Sequence, residues 1–174
     1  MRMSEAVEWG VHCCSLLTHL SGDETLRGAE LAAFFELPPA YLSKHLRSLA
    51  RAGVLEATSG PGGGYRLAKP PQEVSLLDVV RAIEGAESTF RCTEIRQRGP
   101  SGVSAASYRR PCGIATAMWR AEAAWEAELT RTSIADVSSM GNREVSAEQR
   151  RLAATWIRAT ARRRVQKRYL SAAE

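Results

Sequence analysis

Long apolar runs are missing from this chain of 174 residues, and with them any membrane-spanning helix. The short, charged amino terminus is no secretory signal, so a cytoplasmic protein is expected. Aromatic residues make up only 6%, and there are three histidines and four cysteines: Cys13, Cys14, Cys92 and Cys112. Without an export signal, such cysteine use argues against a disulfide framework and for buried thiols, metal ligands or redox groups. Catalytic signatures are absent as well. There is no nucleophile–base pair and no His-Glu-x-x-His. The stretch Gly60-Pro61-Gly62-Gly63-Gly64 lacks the lysine and Ser/Thr of a nucleotide loop and leads into a strand pattern rather than a helix. No enzyme is expected.

A uniform basic field is also lacking, despite a net charge of +5. Residues 1–80 carry 7 basic against 9 acidic side chains, residues 81–140 carry 8 against 7, and residues 141–174 carry 9 against 3. Any nucleic-acid affinity of the first part must therefore come from locally placed Lys44, Arg47, Arg51, Arg66 and Lys69.

What is present, between Leu26 and Leu67, has the order of a winged helix-turn-helix. Thr25 is the expected cap of a supporting helix over 28–35, with Leu31, Phe34 and Phe35 at helical spacing. Pro38 and Pro39 end it, because the residue before a proline is pushed out of helical geometry, and the next helix starts near Pro39. There Leu42, Leu46 and Leu49 form an inward stripe, leaving Ala40, Tyr41, Ser43, Lys44, Arg47 and Ser48 outside. Gly53 suits a left-handed end cap, Val54–Thr58 reads as a strand, and Gly60–Gly64 as a hairpin tip before Tyr65-Arg66-Leu67. The DNA-binding candidates are thus Ala40, Tyr41, Ser43, Lys44 and Arg47 on the reading helix, with Gly62, Gly63, Tyr65 and Arg66 on the wing.

Around this unit, Ser4 to about Leu20 reads as a first helix with Val7, Val11, Cys14, Leu17 and Leu20 inward, Cys13 being ambiguous. Ser75 and Asp78 make a capping-box start for a helix ended by Gly85. Residues 88–111 are irregular. Ile114–Arg131 is a strong helix with Ile114, Ala117, Met118, Ala121, Ala124, Trp125 and Leu129 on one stripe; spanning roughly 27 Å, it is expected to pair two protomers. The fold class is therefore mainly α with a small β-hairpin wing: a winged domain over 1–85, a loop over 86–112, a dimerisation helix region over 113–140, and a basic tail over 141–174, either a marginal helix or disordered.

Tyr41-Leu42, Leu46, Leu49, Ala52-Gly53, the run Gly60-Pro61-Gly62-Gly63-Gly64-Tyr65-Arg66-Leu67 and Leu77-Asp78-Val79-Val80-Arg81-Ala82-Ile83-Glu84-Gly85 resemble the Rrf2 family of transcriptional regulators over roughly residues 4–140. The resemblance implies a dimeric winged-helix regulator on a palindromic double-stranded operator, often with an iron–sulfur cluster between wing domain and dimer helix. Cluster-binding members commonly carry three cysteines before the long helix; this chain has only Cys92 and Cys112 there.

Glu8 and His12, four apart on one helical face with Cβ atoms about 5 to 6 Å apart, are competent completing ligands. Val7-Glu8-Trp9, His12-Cys13-Cys14 and Phe90–Pro100 are similar to the RsrR branch of iron–sulfur sensors, alongside those of NsrR and IscR, where mixed Cys, His and Glu ligation is expected. The reading is a redox-responsive regulator with a 2Fe-2S cluster on Cys92 and Cys112 of one subunit and Glu8 and His12 of the other, and with Trp9 as signal relay. Zinc on the same four residues, a metal-free Cys92–Cys112 thiol switch, and an electron-carrier or cluster-delivery role are the alternatives.

Overall fold

In this computed structural model residues 3–163 are described. Helix α1 spans Glu5–Leu17 and is anchored by Ser4, whose backbone amide and hydroxyl both donate to Glu84 Oε1 at 2.8 and 2.6 Å. The helix stops short of Leu20 because His19 and Leu20 bond back three residues, to Leu16 and Leu17, tightening the last turn. Ala6, Val7, Cys13, Cys14, Leu16 and Leu17 are buried, while Val11 and Leu20 pack half-buried at the core margin. Cys13 is therefore a core residue.

Strand β1, Glu24–Thr25, leads into α2, Gly28–Phe34. Thr25 does not cap α2, as the sequence pattern suggests. Its buried hydroxyl instead donates to Gly62 O at 3.1 Å, tying strand to wing, while Glu30 accepts the Arg27 amide at 2.7 Å to close the start of the helix. The reading helix α3, Pro39–Arg51, begins at the expected proline and buries Leu42, Leu46 and Leu49 completely. Burial of this kind stabilises by about 1.5–3 kcal/mol per side chain. Gly53, at φ 72°, ends α3 in a Schellman motif: Gly53 N donates to Ala50 O and Val54 N to Leu49 O.

The wing is the antiparallel pair β2, Leu55–Thr58, and β3, Gly64–Leu67, in the register Leu55↔Leu67 to Thr58↔Gly64. Leu26 crosses to Tyr65 through two backbone bonds of 3.1 and 2.7 Å. Gly64 is required there by contact: a Cβ would lie 2.6 Å from Leu26 O. Gly64→Ala is expected to cost about 1–3 kcal/mol, as backbone must shift to admit a methyl group. Urea unfolding with an unchanged m-value checks this.

Helix α4, Leu76–Glu84, carries the Ser75–Asp78 capping box and ends at Gly85, φ 95°. Helix α5 spans Gly113–Arg131. Helix α6, Ile134–Glu144, repeats the same box with Ser133 and Asp136 and is clipped beside the start of α4 by Leu76 N to Thr132 O and Ile134 N to Val74 O.

Of the two expectations for the basic segment 141–174, a marginal helix or disorder, the described part is helical. Residues 147–160 form α7, Ala147–Thr160, followed by β4, Arg162–Arg163, which pairs antiparallel with β1. Few apolar groups suffice because they converge: Ile157 is buried, the Trp156 ring stacks edge-on against Phe34 at 4.8 Å, and Arg162 forms an ion pair with Glu30. Arg164, Lys167 and Arg168 lie outside the described residues. Among those described, no helix is long and apolar enough to cross a membrane.

Candidate nucleic-acid interface and sensing residues

The α3 stripe that fills the core turns the opposite face outward. Ala40, Tyr41, Lys44 and Arg47 are exposed and Ser43 is half-buried. Among the described residues neither Lys44 nor Arg47 has an acidic partner, so both cations are free to meet phosphate or a base edge.

The wing differs. Gly62 O is taken by Thr25, Gly63 N bonds Gly60 O at 3.0 Å, and the Tyr65 backbone is paired with Leu26. Arg66 folds across the hairpin onto Glu56, with bonds of 2.8 and 2.5 Å, and lies 3.5 Å from Asp23. Its charge braces the two strands. Arg27, which sequence reasoning passed over, donates to Pro61 O at 3.0 Å and is exposed beside the wing tip. Only the folded hairpin brings it there.

Glu8 and His12 stand one turn apart on α1, Glu8 exposed and His12 at the surface, the His12 ring 5.6 Å from Phe35. Trp9, the next residue after Glu8, meets Tyr41 of α3 edge to face at 5.4 Å, and Tyr41 meets His45 at 4.7 Å. His45 is 7% exposed with Nε2 unpartnered among the described residues; burial and the neighbouring Lys44 hold its pKa below the usual value, which keeps the ring neutral in this stack. An aromatic chain thus joins α1 to the reading helix.

Cys92 and Cys112 flank the irregular segment, both half-buried. Cys112 stands at the head of α5 without a side-chain cap hydrogen bond; the nearby Ala115 and Ile114 amides, and then the positive charge of Arg96, hold its thiol below the usual range. The segment is not slack. Arg96 pairs with Glu94, donates to Arg110 O at 3.2 Å and lies 5.0 Å over the Tyr108 ring, whose hydroxyl donates to Arg96 O at 2.6 Å. Thr89 N and Oγ1 donate to Glu122 of α5 at 2.6 and 2.7 Å. Neither Arg96 nor Tyr108 was marked by the sequence pattern, because their pairing spans an irregular loop. Cys13 and Cys14 are inert by contrast: burial pushes the Cys13 thiol up to about 12 and raises that of Cys14 as well.

Within one protomer the four sensing candidates do not converge. Among the described residues no three of His, Cys, Asp and Glu come together in a metal-binding group. On α5, Ile114 and Met118 of the expected stripe are 68% and 45% exposed and Trp119 is 41% exposed, while Trp125 and Leu129 are half-buried. One long helix thus offers an apolar face to solvent.

A supporting helix, a basic reading helix and a glycine-tipped hairpin in this order define a winged-helix DNA-binding regulator. The chain belongs to the Rrf2 family, described as iron-dependent transcriptional regulators, whose profile matches residues 3–139. It is 30% identical over 138 residues to the helix-turn-helix-type regulator YffB of Lactococcus lactis, covering 79% of this chain and 87% of that protein. It is 33% identical over 91 residues to IscR of Cereibacter sphaeroides, covering 52% and 59%. Among solved structures it is similar to CymR, the global cysteine regulator of B. subtilis, with a TM-score of 0.60, 23% identity and coverage of 80% and 98%. T. potens IscR is similar with a TM-score of 0.62, 20% identity and coverage of 84% and 93%. These two likenesses speak for the fold. The family is one of DNA-binding transcriptional regulators and not of enzymes.

Proposed function

We propose that this regulator is a homodimer that responds to redox state through a 2Fe-2S cluster held by Cys92 and Cys112 of one protomer and by Glu8 and His12 of the partner subunit. The observation that carries the reading is the division of the ligand set. Cys112, at the head of α5 where its thiolate is favoured, and the accessible carboxylate–imidazole pair on α1 belong to no common group of three metal-binding side chains among the described residues of one protomer, which suits a site shared between two chains. The exposed apolar side chains of α5 supply a surface for that chain. The donor set fits the group: two sulfurs for one iron, and imidazole with carboxylate for the other. When bound, the cluster would supply one-electron redox chemistry.

This chain's own residues would carry the response. Trp9 shares a turn with Glu8 and rests on Tyr41, so a shift of that turn repacks the contact holding the reading helix. The DNA partner is a palindromic operator whose half-sites lie one helical turn apart, met by α3 of each protomer.

Protein purified without oxygen is expected to show visible absorption with iron and sulfide in equal amounts. Colourless protein with stoichiometric zinc overturns the cluster in favour of a zinc site on these ligands. Metal-free protein forming a Cys92–Cys112 disulfide on oxidation overturns it in favour of a thiol switch.

A further inference from the structure

A cavity of about 710 Å³ lies between α1, the end of α2 and the α6–α7 corner. One wall is α7, which lies beyond the residues matched to the family, so the cavity depends on a part of the chain outside the shared fold. Its apolar surface comes from Leu16, Phe34 and Phe35 on one side and Ala153, Ala154 and Ile157 on the other. Alanines facing phenyl rings leave space that leucine or phenylalanine would fill. The cavity opens to solvent on the side of His12, His19, Arg150 and Arg158, which are exposed, so a ligand can enter it. Its volume falls within the roughly 300–1,000 Å³ of small-molecule sites, which pair an apolar lining with a few polar groups.

The polar groups have a definite sign. Two cations, Arg150 and Arg158, line the cavity against one carboxylate, Glu24, which already accepts the Ser21 amide at 2.9 Å. Arg150 uses one nitrogen to hold the α6–α7 corner, on Asn142 O and Val145 O at 2.6 and 2.7 Å. The side-chain amides of Asn142 and Gln149 bond no other group among the described residues. Phenyl faces suit a planar ring and arginines suit a carboxylate.

We propose that this cavity binds a small aromatic carboxylate, and that occupancy biases operator affinity. The route is short: Phe35 closes α2, Glu36 turns the chain at φ 53°, and α3 starts at Pro39. An occupant bearing on Phe35 therefore bears on the turn that sets the reading helix. The binding groups invoked for the carboxylate are Arg150 and Arg158, neither of which belongs to the proposed cluster site, although His12 lies at the cavity's edge.

The test is a calorimetric titration of the full-length protein with phenylacetate and indole-3-acetate, with phenylacetamide as neutral control. Saturable binding of an acid is expected, about tenfold or more weaker for phenylacetamide. Ala154→Phe should abolish it, Arg158→Gln should weaken it several-fold, and both variants should keep the parent's thermal unfolding. Cys112→Ala protein should bind equally well, which separates this proposal from the cluster. Absence of saturable binding by either acid, or undiminished binding in both cavity variants, overturns it. Binding that appears only at high dilution assigns the cavity to a second copy of this chain and also overturns it.

Discussion

Cys112→Ala protein, purified without oxygen, is expected to lose its visible absorption and its iron, while unfolding as the parent does. Cys112 is half-buried at a helix start and lies outside the core cluster, so its removal should cost the fold little. Its sulfur is nevertheless the thiol that α5 amides and Arg96 favour as thiolate, the form that binds metal. His12→Ala should have the same outcome through the other half of the ligand set. Mixing decides whether those halves belong to different chains. Co-expressed Cys112→Ala and His12→Ala chains form heterodimers in which one site keeps all four ligands, so iron should return to about one site in four. Complete loss in the mixture would place all ligands within one chain, against their separation inside a protomer. A spectrum in His12→Ala identical to that of the parent would remove that residue from the ligand set.

Lys44→Ala and Arg47→Ala should each weaken operator binding by about 1–3 kcal/mol if the side chain meets a base edge. If it meets phosphate, the slope of log K against log salt should fall by about 0.9 for each phosphate left without its cation. Both cations are free of acidic partners among the described residues, so removing them leaves no unpaired carboxylate, and thermal stability should hold. Arg66→Ala is expected to behave in reverse, destabilising the wing with a smaller effect on affinity, since its guanidinium is bound to Glu56. Unchanged affinity in Lys44→Ala, Arg47→Ala and the double variant, measured by fluorescence anisotropy, would remove this face as the reader.

Much of the winged domain was legible because its signals are local. Pro39 at the first turn, Gly53 beyond the last, the Leu42–Leu46–Leu49 spacing and the Ser75–Asp78 box each act within a few residues. Thr25 misled because a hydroxyl before a helix is a good cap on its own, and only the hairpin offered it Gly62 O instead. The partner of Arg66, a DNA-binding candidate, was hidden from local reading in the same way: Glu56 is ten positions away and becomes a neighbour only through strand register. The C-terminal segment read as either a marginal helix or a disordered tail because its apolar side chains are sparse. Trp156 and Ile157 nonetheless find Phe34 and the core, and two such contacts with a short strand order the helix.

Local sequence by itself determined α1, α3, α4 and α5, the Ser75 and Gly53 caps, the glycine hairpin and the basic outer face of α3, because helical periodicity and backbone preference act over a turn or two. Tertiary structure alone decided which charges stay free of acidic partners among the described residues, that Trp9 rests on Tyr41, that no three metal-binding side chains gather among the described residues of one protomer, and that α7 lines a cavity with Phe34 and Phe35. Those outcomes depend on pairings between residues distant along the chain, and such pairings exist only once the elements have packed.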